Sequence, residues 1–470
     1  MTETSQRRLG DVAVLGLGRT GESVARFFLA QMPERVSSVT VFGGSASAPN
    51  EKTQALEAAG ATVVCGTDEV LGSFDLAVAS PGIPEGSDFF VSARAHAAEV
   101  IGEPELAWRE SPERWVAITG TNGKTTTTSL ATHLLQASGL AAESVGNIGT
   151  PPTEAIESRG DATWFVAELS SFQLATTRLF HPRVGVLLNV TPDHLEWHHT
   201  MEAYAAAKER VFANLGAGDL AVVSVDDDWC RAAAERLEGS GLRVCRLSVH
   251  GEPDTPCAAF LRDGVLVVRL DGVEHALVAA SELKIFGLHN AENALAASAV
   301  ALELGASDAD VCAGLVSFSP IEHRIEPAGE VGGVRFVNDS KATNTDSVEK
   351  ALTAFDAGSI VVLLGGYDKG TDLSSLARAV RERCRAAVCY GAAGERIARS
   401  LEEEPSELAV VRAPHLREAF DAAVALARPG ETVLLSPACS SFDEFNNMGE
   451  RGRLFKDLVR ELAENTGGES

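Results

Sequence analysis

The run TGTNGKTTTT, Thr119 to Thr128, holds the residue types that grip phosphates. Glycines let backbone amides face an anion, a lysine reaches β- and γ-phosphates, and a hydroxyl takes a position on Mg²⁺. The usual spacing, G-x-x-x-x-G-K-[ST], wants glycine five residues before Gly123, where this chain has Ile118. A shorter, tighter loop is therefore expected from Gly120, Thr121, Asn122 and Gly123, with Lys124, Thr125 and Thr126 behind it. The competing reading is a capped helix start with a run of threonines.

Further groups stand where apolar runs end. Glu168 follows TWFVA, and a carboxylate there is a candidate Mg²⁺ ligand beside a phosphate loop. Asp193 and His194 close the run in LLNVTPDHLEWHH, whereas His198 and His199 read as surface or structural residues. Lys208, in MEAYAAAKERVF, reads on its own as a solvated helix lysine. Near the start, GLGRTG (Gly16 to Gly21) joins a strand to a helix and offers amides to a phosphate or diphosphate. A dinucleotide site would also want an acid closing the second strand, but VTVFGG ends in Gly43 and Gly44. Later in the chain His323, Arg324, Asp339, Lys341, Thr343, Lys369, Ser436, Ser441 and Phe442 cluster at or after strand-like runs, which suggests a cleft recognising carboxylates.

Three blocks of alternating apolar strands and helical periodicity must position these residues, the mark of parallel α/β domains. The expected fold is a Rossmann-like N-terminal domain (1–108), a P-loop central domain (109–320) with a parallel sheet plus a small antiparallel sheet, and a Rossmann-like C-terminal domain (321–470). The antiparallel part is read from AAFLRDGVLVVRLDGVEHALVAA. A chain of 470 residues is too long for one ordinary core. Its net charge of −26 argues against a general binder of nucleic acid or anionic membrane, so anionic ligands must meet local cations and helix N-termini. The eight cysteines lack C-x-x-C or zinc spacing and read as reduced thiols. With no apolar run of spanning length and no signal-peptide pattern in MTETSQRRLGD, a cytoplasmic protein is expected.

In order, GTNGKTTT, ELSSFQL, NVTPDHL, AAAKERVF, HNAENALAA, HRIE, NDSKATN and SPACSSFDEF resemble the Mur ligases of peptidoglycan synthesis, over nearly the whole chain. The resemblance implies a UDP-sugar domain, a central ATPase and a domain for the incoming amino acid. The implied reaction passes the ATP γ-phosphoryl group to a carboxylate. An amine then attacks the acyl phosphate through a tetrahedral intermediate. NDSKATN and SPACSSFDEF narrow the implied substrates to UDP-N-acetylmuramoyl-L-alanine and D-glutamate, handled by a monomer. By resemblance, Lys124 and Thr125 hold phosphates and a first Mg²⁺ with Glu168, His194 ligates a second Mg²⁺, and Lys208 is carbamylated by CO₂. Asn293, His323 and Asp339 contact adenosine, and Arg324 lies near the transferred phosphoryl group. Lys341, Thr343, Lys369, Ser441 and Phe442 surround D-glutamate. Leu17, Gly18, Arg19, Thr20, Ser80, Gly82 and Asn147 contact the UDP-sugar. Two departures stand out: Gly43–Gly44 where an acid serves the uracil end, and Met448 where an aromatic is expected. The resemblance calls for neither NAD nor flavin. The alternatives are a related ligase with another acceptor, such as L-glutamate, or an NAD(P)-dependent oxidoreductase built on GLGRTG.

Overall fold

The glycine turns that follow Leu15 and Thr119 each lie at the C-terminal end of a strand whose last four residues are buried. The computed structural model describes residues 8–319, 322–368 and 370–467, so Lys369 and the 320/321 boundary lie outside the described residues. The first sheet is parallel, in the order β3-β2-β1-β4-β5. Its strands are β1 (Gly10–Leu15), β2 (Val36–Phe42), β3 (Thr62–Val64), β4 (Leu76–Ala79) and β5 (Val100–Gly102). Val12 to Leu15 are buried on both faces, as a central parallel strand requires, and helix Arg19–Ala30 covers them with Val24, Phe27 and Phe28 at helical spacing.

The second sheet comprises β6 (Trp115–Thr119), β7 (Ala142–Gly146), β8 (Trp164–Glu168), β9 (Val184–Leu187), β10 (Leu220–Ser224), β11 (Arg243–Ser248), β12 (Ala258–Arg262), β13 (Val265–Leu270) and β14 (Val273–Ala279). Its order is β14-β13-β12-β11-β10-β9-β6-β8-β7. The antiparallel strands indicated by the sequence are present. They extend the main sheet through the parallel pair β11–β12, which makes it mixed. The third sheet contains β15 (Glu326–Val331), β16 (Val334–Asn338), β17 (Ile360–Gly365), β18 (Cys384–Tyr390), β19 (Ala409–Ala413) and β20 (Thr432–Ala438). It runs β15-β16-β20-β17-β18-β19, parallel except for β15.

The chain divides into two compact units. One holds the described residues up to Ala279 with Glu292–Leu315; the other holds Ala280–Ala291 with those from Val316 onward. The first unit therefore carries two sheets. Helix Glu103–Glu110 joins them through two buried acids. Glu105 accepts hydrogen bonds from the backbone amides of Arg178, Leu179 and Phe180, and Glu103 accepts from the Thr153 amide and hydroxyl at 2.8 and 2.9 Å. Burial pushes the Glu103 carboxyl up to about 7. Among the described residues no helix is long and apolar enough to cross a membrane, and all eight cysteines are free.

Candidate active site

In the first unit, β6 runs through Ile118 to Thr119, so the residue replacing the expected glycine is a buried strand residue paired to β8 and β9. The turn is correspondingly short. Gly123 has φ +83, and a Cβ there would lie 2.4 Å from Asn293 Oδ1; only glycine fits. Helix Lys124–Ala137 begins directly after it. The Asn189 amide clamps the turn, accepting from Asn122 N at 2.8 Å and donating to Asn122 O at 3.2 Å. Asn293 accepts from the Thr127 hydroxyl at 3.1 Å, which ties the loop helix to Leu288–Glu303.

Two lysines meet behind this loop. Lys124 Nζ donates to Gly120 O at 2.8 Å and Thr121 O at 2.7 Å, while Lys208 Nζ donates to the same Gly120 oxygen at 2.7 Å. Lys208 is only 1% exposed, so the solvated-lysine reading is corrected: helix Met201–Glu209 turns Tyr204, Ala205, Ala207 and Lys208 inward together. Burial first, then the Lys124 charge, holds the Lys208 ammonium well below the ordinary lysine value. Glu168 is 2% exposed at the end of β8. Its Oε1 accepts from Asn147 Nδ2 at 2.8 Å, while its buried Oε2 has no hydrogen-bond partner. The hydroxyls of Thr119, Thr126 and Thr191 are buried in the same condition. Unsatisfied oxygens beside a phosphate loop suit a hard cation whose remaining ligands come from phosphates. Among the described residues no three His, Cys, Asp or Glu side chains form a metal set by themselves. His194 stands in a left-handed conformation, φ 54, with its ring 4.9 Å from that of Phe172. His199 is exposed, whereas His198 is buried with Nε2 2.8 Å from Ser171 Oγ, and burial lowers its pKa to about 4.

Sequence reasoning missed Tyr204. Its hydroxyl lies 3.0 Å from Thr121 Oγ1 and its ring 4.6 Å from Lys208 Nζ. The signal was its place four residues before Lys208, on one helix face.

At the first glycine turn, Gly18 precedes helix Arg19–Ala30, and Arg19 donates to Gly149 O at 3.2 Å. The turn thus reaches the loop that carries Asn147. The buried Ser80 hydroxyl beside the turn has no hydrogen-bond partner. Leu17, Thr20 and Gly82 lie partly or fully open to solvent nearby in sequence. An acid does stand by Gly44, contributed by a different loop: Asp68 accepts from Ser45 N and Ser45 Oγ, both at 2.7 Å.

In the second unit, Asp339 follows β16, accepting from Ser436 Oγ at 2.8 Å and from Ile325 N at 3.2 Å. Burial pushes its carboxyl up to about 7, against the lowering effect of Ser436 and Arg324. His323 is buried, with Nδ1 2.9 Å from Asn338 Nδ2, and its carbonyl accepts from Lys341 N at 3.0 Å. Lys341 and Thr343 are partly exposed on the turn after β16, and Ser441 is buried on the turn after β20. Phe442 is 70% exposed, so nothing in this unit encloses it. Met448 opens helix Met448–Gly467, and its carbonyl accepts from Ser340 Oγ at 2.7 Å. Arg451, fully buried, was also missed by sequence reasoning.

Three family models match the chain. A Mur ligase MurD-like N-terminal domain matches residues 10–102, a Mur ligase middle domain 118–301, and a Mur ligase glutamate ligase domain 323–439. A UDP-N-acetylmuramoylalanine–D-glutamate ligase of Pelotomaculum thermopropionicum is 40% identical, covering 96% of this chain and 97% of its own. One of the same name from Geobacter metallireducens is 41% identical, with 96% and 97% covered. Among solved structures, a MurF ligase from Thermotoga maritima in complex with ADP shares the fold at a TM-score of 0.59 and 15% identity, covering 99% of this chain and 100% of that one.

Proposed function

The chain belongs to the Mur ligase family, and we propose that it joins D-glutamate to UDP-N-acetylmuramoyl-L-alanine with cleavage of ATP to ADP and phosphate. The acceptor and glycan are those in the names of relatives about 40% identical over nearly their full length. The observation that carries the chemistry is the convergence of Lys124 and Lys208 on the Gly120 carbonyl. Two lysines at one point, beside the unpartnered Glu168 oxygen, suit a centre that brings anions together.

A carboxylate resists amide formation because its leaving group would be oxide. Attack of the L-alanyl carboxylate oxygen on the γ-phosphorus breaks the bond to ADP and supplies phosphate as the leaving group. Lys124 is the group that can leave its loop carbonyls for the β- and γ-phosphate oxygens, with the amides of Gly120–Gly123 as the cradle. The residues that would hold Mg²⁺ are Thr125, Glu168, His194 and Lys208 as its carbamate. Mg²⁺, when bound, screens the repulsion between carboxylate and triphosphate. The neutral amine is the form able to take up CO₂ as a carbamate, and burial favours that form of Lys208. Asn147 orients Glu168 and leaves Oε2 available. The acceptor amine, once deprotonated, attacks the acyl phosphate carbon. The tetrahedral intermediate then collapses with loss of phosphate. In the second unit, Asp339 and His323 are assigned to the ribose, Arg324 to the phosphoryl group, and Lys341, Thr343, Ser441 and Phe442 to D-glutamate. On the first domain, Leu17–Thr20, Ser80 and Gly82 are assigned to the UDP moiety.

The test is phosphate release and product mass with UDP-N-acetylmuramoyl-L-alanine and a panel of D- and L-amino acids. D-glutamate is expected to give the highest turnover. Equal turnover with L-glutamate would overturn the acceptor assignment. Turnover with none, together with micromolar NAD(H) binding, would return the dinucleotide alternative.

A further inference from the structure

Arg451 is fully buried, yet its hydrogen bonds go only to uncharged oxygens. Nε donates to Ser340 Oγ at 3.0 Å and Nη2 to Ser340 O at 2.9 Å; Nη1 donates to Cys439 O at 3.0 Å and Ser440 O at 3.3 Å. Among the described residues no carboxylate forms an ion pair with it. Burying a guanidinium without a counter-ion is costly, because four neutral acceptors restore only part of its hydration. Asp339, next to Ser340 in the chain, compensates only in part near neutral pH, since burial pushes its carboxyl up to about 7 even with Arg451 lowering it.

The position explains what the cost could serve. Ser340 lies on the turn after β16, and Cys439 and Ser440 on the turn after β20. The turn after β17, the strand on the far side of β20 from β16, packs on the same guanidinium: a Cβ added to Gly366 would lie 3.0 Å from Nη1. Tyr367 N donates to Ser440 O at 2.8 Å, and Ala438 N to Ala342 O at 3.0 Å, which closes the three turns on one another. Ligands of open parallel sheets bind at such strand ends. Lys341 and Ser441 are the immediate neighbours of Ser340 and Ser440.

We infer that Arg451 is a positioning and specificity residue for the acceptor, fixing the spacing of the Lys341 and Ser441 turns while its charge, which no carboxylate hydrogen-bonds, favours a dicarboxylate. This rests on the proposed reading of the second unit as the amino-acid-binding part. The guanidinium is hemmed in by its own hydrogen bonds, so it acts through the turns and its field. The incoming carboxylate is the counter-ion that the folded chain withholds.

The test uses the full chain with Arg451→Gln and Arg451→Lys, assayed with D-glutamate and with its neutral-side-chain analogue D-glutamine. In Arg451→Gln the KM for D-glutamate is expected to rise about 30-fold or more, the size of one lost interaction with a charged group. The kcat and the KM values for ATP and UDP-sugar should stay within about threefold, and the preference for D-glutamate over D-glutamine should shrink in step. Arg451→Lys keeps the charge but loses the fork, so its D-glutamate KM should rise about five- to tenfold while the preference over D-glutamine persists. An unchanged acceptor KM in either folded variant, or a parallel rise in all three KM values, overturns the inference. If Arg451→Gln does not fold, the Arg451→Lys result decides alone by the same criterion. If the wild-type chain turns over a different acidic amino acid, the proposed acceptor fails while the KM split is read with that acceptor. If it accepts only uncharged amino acids, the inference fails as well.

Discussion

Replacing Lys208 separates a catalytic from a structural lysine, because its surroundings set the two costs far apart. Lys208→Met keeps the length and apolar stem of a side chain that is 1% exposed. It removes one hydrogen bond, to Gly120 O at 2.7 Å, with a typical net contribution of about 1 kcal/mol. It also removes a desolvated amine beside Lys124, a relief of similar size. Net stability should therefore change by no more than about 1 kcal/mol, a shift of a few degrees in melting temperature. Activity should fall about 10²- to 10³-fold or more, the scale of deleting one preorganised charge-stabilising group.

The pKa direction gives the chemical reason. An ordinary lysine, with pKa about 10.4, is neutral in about one molecule in 2,500 at pH 7, and each unit of lowering raises that fraction tenfold. Burial and Lys124 lower Lys208, so the share of nucleophilic amine that adds CO₂ is raised above that of an ordinary lysine. The wild-type chain in ¹³C-labelled bicarbonate should show a carbamate carbonyl resonance that is absent in Lys208→Met. In Lys208→Ala, which leaves space, acetate should restore part of the activity. A folded Lys208→Met with turnover within tenfold of wild type would refute the carbamate role. A loss above about 3 kcal/mol would instead mark a structural lysine whose partner matters more than its chemistry.

Three other perturbations follow from the same geometry. Gly123→Ala places a Cβ 2.4 Å from Asn293 Oδ1 at φ +83, so it should lose about 1–3 kcal/mol and raise the ATP KM at least tenfold; an unaltered melting point with unaltered KM would contradict the loop assignment. Glu168→Gln keeps the volume but weakens the oxygen that lacks a partner, and the Mg²⁺ concentration for half-maximal rate should rise about 10- to 100-fold; an unshifted Mg²⁺ titration counts against Glu168 as a ligand. Asp339 has a folded pKa of about 7, so between about pH 4 and 7 the native state holds the extra proton and stability falls as pH rises, by as much as about 4 kcal/mol. Asp339→Asn cannot ionise, so its stability relative to wild type should climb from pH 4 to 8, and parallel denaturation curves at both ends would contradict the burial argument.

What the sequence displayed were features made by neighbours in the chain. Apolar runs such as VAIT and VVLLG marked buried strands, and GTNGKT marked its loop because a turn and a helix start are local events. AESVG (in β7) and EPAGEV (β15) carry no such run; they were missed because an edge strand can be polar. Arg451, and Lys208 apart from the family resemblance that singled it out, were opaque for a stronger reason. A cation on a helix face reads as solvated, and only tertiary packing turns it inward. Asp68 was hidden similarly, since it reaches Ser45 from another loop.

The buried Arg451 follows a logic that composition alone could only frame. A chain with 66 acidic and 40 basic residues repels anions at long range, so its field cannot gather nucleotide and dicarboxylate. It must instead hold positive charge at short range. Arg451 is buried against strand-end turns with carbonyls and a hydroxyl as its hydrogen-bond partners. An acidic hydrogen-bond partner for it would steady the fold and cancel the charge a substrate needs. The prediction is that introducing an acid beside it, as in Ser340→Asp, should leave the melting temperature level or raised while weakening acceptor binding. A variant that binds acceptor as tightly as wild type would show that the missing counter-ion is incidental.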